Sequence, residues 1–167
     1  TGFGMLTCSL TALQYVEAQE LIEKGDESLP LLAAILYYPE KEYHSEFAHE
    51  LAKNFAKLPL ELLTAISFNF QAFNNYLFSK TSFSLLSKFV KKPKHPITTD
   101  ASDALYDLSK EGLGDARQIE QMNVLTYLKV LRKKTIDAVH DMKGFGWDKL
   151  KISEEVGLPI SVIDKIL

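Results

Sequence analysis

The stretch from Pro59 to Ser79 reads PLELLTAISFNFQAFNNYLFS, and its spacing decides the fold class. Proline suits the first turn of a helix, where its missing N–H costs nothing. From there Leu63, Ile66, Phe70, Phe73 and Leu77 recur at steps of three and four, one stripe of an α-helix. Leu62, Ala65, Phe68, Ala72 and Tyr76 widen the apolar face beyond that stripe, and such width predicts a central helix packed on several sides. The run from Leu62 to Ser79 carries no charge over 18 residues, close to transmembrane length. It also holds Thr64, Ser67, Asn69, Gln71, Asn74 and Asn75, each costly in lipid without partners. The segment therefore reads as a helix of a protein core, with no membrane span.

Helix signals continue in both directions. Thr11-x-x-Gln14 has the form of a capping box, followed by Leu13, Val16, Leu21 and Ile22, with Gly25 as a stop. This predicts a helix from about Ala12 to Lys24. A short apolar helix follows Leu29-Pro30 and ends before Pro39, because a residue preceding proline is pushed out of the α region. Ser45 is placed to cap a third helix with Phe47, Leu51 and Phe55 on one side. A fifth runs from about Phe83 to Val90 and ends in Lys91-Lys92-Pro93-Lys94-His95-Pro96, whose prolines mark a linker. A helix carrying Ala104, Leu105 and Leu108 is stopped by Gly112 and Gly114.

The longest helix is expected from about Asp115 to Lys143. Val124, Leu128, Leu131, Thr135, Ala138 and Met142 form its seam, and its length is roughly 40 Å. Gly144 and Gly146 end it, and two short helices, Trp147 to Val156 and Ile160 to Leu167, close the chain around Gly157-Leu158-Pro159. The expected fold is thus all-α, a multi-helix bundle with one long helix and a C-terminal helical hairpin. It is organised as an N-terminal helical subdomain (1–90), a linker (91–100) and the long helix with its hairpin (101–167), together one compact domain.

Composition agrees. A chain of 167 residues that is 46% hydrophobic and 25% charged has enough apolar surface to offset the entropy of ordering. The net charge of −3 provides no overall positive field for nucleic acid or anionic membrane. Cys8 is the only cysteine, which excludes an intrachain disulfide and fits a reducing compartment. Thr1-Gly2-Phe3-Gly4 has neither a basic region nor a long apolar run, so no signal peptide is read there. The missing initiator Met points to a processed chain or to part of a longer one.

Chemistry-bearing patterns are sparse. Glu46-x-x-His49 and Asp137-x-x-His140 each put a carboxylate and an imidazole one helical turn apart, the spacing used in carboxylate-bridged di-metal bundles. A site would need further carboxylates, with Glu17, Glu20 or Glu61 as candidates, and a di-metal enzyme is a second alternative reading; solvated or partly packed histidines explain both pairs more simply. No G-x-S-x-G elbow, no phosphate-cradling glycine loop and no histidine near Cys8 in sequence supports catalysis or a cofactor, and the chain is read as non-enzymatic. The segment from Ile152 to Ile166 has helix-turn-helix spacing, with Ser153 where the helices approach. Its second helix lacks Arg, Asn and Gln for base edges, so a transcription regulator is an alternative reading only. In it Lys149, Lys151 and Lys165 would touch phosphates. Lys91, Lys92 and Lys94, and Lys129, Arg132, Lys133 and Lys134, are basic clusters that read as a solvated linker and helix face.

Two segments together resemble a known group. LTALQYVEAQELI (Leu10 to Ile22) and LLAAILYYP (Leu31 to Pro39), with the later Leu58-Pro59-Leu60 before an aromatic-rich helix, are similar to the opening of small helical proteins encoded among the structural genes of tailed bacteriophages. Those openings pair a Q-Y-(I/V)-x-x-Q-x-L helix with an L-x-x-I-L-Y-x-P helix. The resemblance spans about residues 10 to 78, under half the chain, and carries no set of functional residues. It implies a virion component or tail-assembly factor, found in the virion or host cytoplasm, that binds other phage structural proteins or copies of itself. Docking surface is then expected among the surplus aromatics Phe3, Tyr37, Tyr38, Phe68, Phe78, Phe83 and Phe89, with Tyr37, Tyr38, Phe78, Phe83 and Phe89 as the leading candidates.

Overall fold

The Thr11 hydroxyl accepts a hydrogen bond from the Gln14 backbone N–H (3.2 Å), and the Gln14 side-chain oxygen accepts one from the Thr11 N–H (2.9 Å). That reciprocal capping box opens the first helix of a computed structural model that describes residues 8–22, 24–87, 105, 108–110, 112 and 114–167. Among the described residues the helices are α1 (Ala12–Ile22), α2 (Leu29–Leu36), α3 (Ser45–Phe55), α4 (Leu60–Lys80), α5 (Ala116–Glu120), α6 (Val124–Gly144), α7 (Lys149–Val156) and α8 (Ile160–Ile166). Two 3₁₀ turns, Asp26–Ser28 and Ser82–Leu86, join them. The one extended pairing among the described residues is an isolated antiparallel bridge between Thr11 and Asn123. The protein is all-α.

The chain divides into two compact units, Thr1–Asn74 with Ala101–Tyr127, and Asn75–Asp100 with Leu128–Leu167. The expected bounds, 1–90 and 101–167, divide the chain elsewhere. The expected linker at 91–100 lies outside the described residues.

In the first unit α1 packs against α2 and α5, and α2 against α3. Leu32, Ala33, Ala34 and Ile35 of α2 are all buried, as befits a helix apolar on every side. Gly25, at φ 80°, turns the chain after α1, and the Ser28 hydroxyl donates to the Leu21 (2.9 Å) and Gly25 (2.7 Å) carbonyls, satisfying groups the helix end leaves open. Ser45 is the first residue of α3 rather than its cap; His44 holds the cap position without a side-chain hydrogen bond.

The expected helix from Asp115 to Lys143 is broken. Asp115 caps α5 through a capping box with Gln118, and the helix stops at Glu120. Gln121 then turns to Tyr43, accepting from its N–H (3.0 Å) and donating to its carbonyl (2.7 Å). Residues 122–124 pair with the segment before α1, through Ala12 N–H to Met122 O (2.7 Å) and Val124 N–H to Leu10 O (2.9 Å). Asn123 restarts the helix by accepting from the Leu125 N–H. The remaining α6 spans 21 residues, about 31 Å.

In the second unit Val139, Ile152, Leu158 and Ile163 form a buried cluster, with Leu85, Met142 and Trp147 packed against it. Asp148 caps α7 by accepting from the Lys151 N–H (2.8 Å), and Gly157, at φ 70°, ends it in the left-handed conformation. Ser153 donates its hydroxyl to the Leu158 carbonyl, closing the expected hairpin of α7 and α8. The helix expected from Phe83 to Val90 is a 3₁₀ turn over Ser82–Leu86 followed by an extended Ser87, and 88–90 lie outside the described residues.

Candidate interaction surface

The side of α4 that widens its apolar face is not a core. Leu63 and Phe70 are each 4% exposed, while Leu62 is 47% and Phe68 64% exposed. Ala65, Asn69 and Ala72 share the open side, and Tyr76, one turn further along the same helix, is open as well. The expectation of a helix packed on several sides is therefore corrected: α4 buries one stripe and presents a second to solvent. Glu61 and Lys80 are the only charges on the helix and sit at its two ends. Beside Phe68 lies a cleft of about 160 Å³, formed with Leu21, Gly25, Ser28, Leu29 and Ser67. Within it Gln71 donates to the Ser67 hydroxyl (3.1 Å). An exposed aromatic beside a partly apolar notch can seat an apolar side chain of a partner, and its neighbouring amide can orient it.

The aromatic candidates divide. Tyr37 is exposed. Tyr38 is half-buried, edge-on to Tyr43 at 4.8 Å and to Phe47 at 5.8 Å, and its hydroxyl accepts from the His44 N–H. Phe78 is half-buried. Phe83 is 5% exposed, so its ring is largely withdrawn from solvent. Phe3 and Phe89 lie outside the described residues. Leu60, Phe145, Leu150 and Ile160 are exposed apolar positions that the sequence reading did not single out; Phe145 stands between Gly144 and Gly146, a spacing that could have flagged it.

The metal candidates Glu46, His49, Asp137 and His140 are all exposed. Asp137 pairs with Lys133 one turn away, and among the described residues no group of three or more His, Cys, Asp or Glu side chains converges. Glu17 accepts a hydrogen bond from the buried Tyr43 hydroxyl, which occupies it structurally. In the C-terminal hairpin Lys149 pairs with Asp164, and the Lys151 ammonium sits 3.8 Å from the centre of the Trp147 ring. Two of the three lysines that a DNA-reading hairpin would place on phosphates are thus engaged within the unit. Of the basic groups on α6, Arg132 donates to the Ser82 carbonyl (3.1 Å) and Lys133 to Asp137; Lys91, Lys92 and Lys94 lie outside the described residues.

Where titratable groups are displaced, burial is the largest cause. Burial pushes the Cys8 thiol up, which lowers its thiolate fraction. Tyr127 is pushed up to about 12 by burial. Tyr15 is raised further by burial, and Tyr43 by burial and by donating to the Glu17 carboxylate. The Tyr15 hydroxyl accepts from the Gln19 amide (2.7 Å) and the Tyr43 hydroxyl donates to Glu17, so both are engaged within the protein. No helix among the described residues is long and apolar enough to cross a membrane. No family model matches the chain, and neither the curated proteins nor the solved structures contain a match to it.

Proposed function

We propose that this chain is a non-catalytic interaction protein that docks a protein partner on the uncharged face of α4. The observation that carries the reading is the exposure of Phe68 (64%) and Leu62 (47%) on a helix with no charge between Glu61 and Lys80. An uncharged helix that leaves large apolar side chains open offers surface for a partner to bury. The bacteriophage resemblance of residues 10 to 78 narrows the partner class to virion components, which makes the chain a structural or tail-assembly protein.

The test is affinity purification from the native source with mass spectrometry, using the natural chain and a Leu62→Ser/Phe68→Ser variant. Both side chains are largely solvated, so the variant should keep its helical circular dichroism and its melting temperature. The expected outcome is recovery of virion proteins, further copies of the chain among them, in fixed proportion by the natural chain and their loss with the variant. Partners retained by the variant, or recovery of RNA polymerase and DNA by both, would overturn the proposal.

A further inference from the structure

The open face of α4 has a register. Leu62, Ala65, Asn69, Ala72, Tyr76 and Ser79 follow one another at alternating steps of three and four, and all six are exposed. These are the steps of the a and d positions of a heptad, the pattern by which one helix meets another. We propose that the partner seated on this face is a second copy of the chain, with the two α4 helices antiparallel about a two-fold axis. The proposal rests on the reading of α4 as a contact surface and names its occupant.

Three features favour that occupant. The first is size. In an antiparallel pair each a position faces a d position, which sets Leu62 against Ser79, Ala65 against Tyr76 and Asn69 against Ala72 of the other copy. Every layer then joins a large side chain to a small one, so the faces interdigitate. A parallel pair would set Tyr76 against Tyr76 and leave Ala65 facing Ala65 across a void. The second is charge. Glu61 and Lys80 are the helix's only ionic groups, at its first and last turns. Antiparallel packing brings Glu61 of each copy to the level of Lys80 of the other and opposes the helix dipoles; parallel packing would bring like charges together. The third is polar satisfaction. The Ser79 hydroxyl already donates to the Asn75 carbonyl (2.6 Å) and enters the contact without an open donor. The two Asn69 side chains fall three residues apart along the axis, about 4.5 Å, within reach of an amide–amide hydrogen bond that would set the register.

The face from Leu62 to Ser79 is about 26 Å long and one helix wide, small beside the roughly 800 Å² per partner of a standard interface. The pair is therefore expected to be reversible and concentration-dependent. Sedimentation equilibrium of the full chain over a wide concentration range tests it. The natural chain should show a monomer–dimer equilibrium. Ala72→Glu, at an exposed helical position, should leave circular dichroism and melting unchanged and raise the dissociation constant by at least about tenfold. Glu61→Lys and Lys80→Glu should each weaken the dimer, and the two together should restore it. A chain that stays monomeric throughout, a dimer indifferent to Ala72→Glu, or a double charge swap without rescue would overturn self-pairing. A monomer that still captures virion proteins through Leu62 and Phe68 would overturn self-pairing while leaving the interaction reading in place. A dimer indifferent to Ala72→Glu, with no capture that depends on those side chains, would sink both.

Discussion

Gln14 is 7% exposed, and its amide serves two backbones. The oxygen accepts from the Thr11 N–H, and the nitrogen donates to the Ile35 carbonyl (2.8 Å) near the end of α2. A buried amide with both ends used ties the start of α1 to the close of α2, because leaving either group unpaired costs its desolvation. Gln14→Leu keeps the volume and removes both bonds. It is expected to destabilise the protein by about 2–4 kcal/mol, read as a lower urea midpoint at unchanged slope. A midpoint equal to that of the natural chain would mean that water replaces both bonds at no cost. The capping-box half of this role was legible at Thr11 and Gln14, since its geometry is local. The Ile35 half was not, because nothing in the spacing says which carbonyl lies opposite a side chain 21 residues away.

At the scale of the element, α4 separates two meanings of an apolar residue. Phe68 and Phe70 are two positions apart in one helix and identical in chemistry, yet 64% and 4% exposed. Phe70 packs edge-on against Tyr15, with ring centres 6.0 Å apart. Phe70→Ala should therefore cost about 3–5 kcal/mol in stability, and Phe68→Ala should stay within about 0.5 kcal/mol of the natural chain, as measured by thermal or urea unfolding. Equal losses would mean that the open face is covered within the chain, contrary to the exposure of Leu62 and Phe68. Periodicity announced the helix and its buried stripe correctly. It also assigned Leu62, Ala65, Phe68, Ala72 and Tyr76 to a core, because the width of an apolar face reports how many neighbours a helix can take and not whether they belong to the same chain. Asn69 and Asn75, polar and exposed in the middle of that face, were the available signal. The break between α5 and α6 carries the same lesson. Asn123 has the chemistry of a helix cap, but the break also needs Leu10, Ala12 and Tyr43 as distant partners for residues 121–124.

At the scale of the molecule, stability should depend on alkali in a defined direction. Tyr15, Tyr43 and Tyr127, all within the first unit, have folded-state pKa values raised above the ordinary phenol value of 10.0, chiefly by burial. The fold favours their neutral forms, so this stability is fully present below about pH 10, where unfolded phenols begin to ionise, and is lost as pH rises through the folded values, reached for Tyr127 at about 12. Urea midpoints should fall steeply above about pH 10, and absorbance titration should show a delayed class of phenolates released with unfolding. Ionisation of all seven tyrosines in a single step near the ordinary value, with no loss of stability, would contradict the burial of these three.

The sequence by itself determined what depends on neighbours within a few positions: the all-α class, the capping box at Thr11 and Gln14, the stop at Gly25, and the hairpin around Gly157 and Pro159. Each rests on a backbone preference or a three- to four-residue repeat that acts before any long-range contact forms. Only the tertiary structure decided which apolar residues remain open, where the chain divides, and that the expected long helix is interrupted. Those outcomes depend on segments far apart in sequence. Burial is a property of the surroundings, so Phe83 is withdrawn from solvent while Phe68, in an equally apolar run, stays exposed.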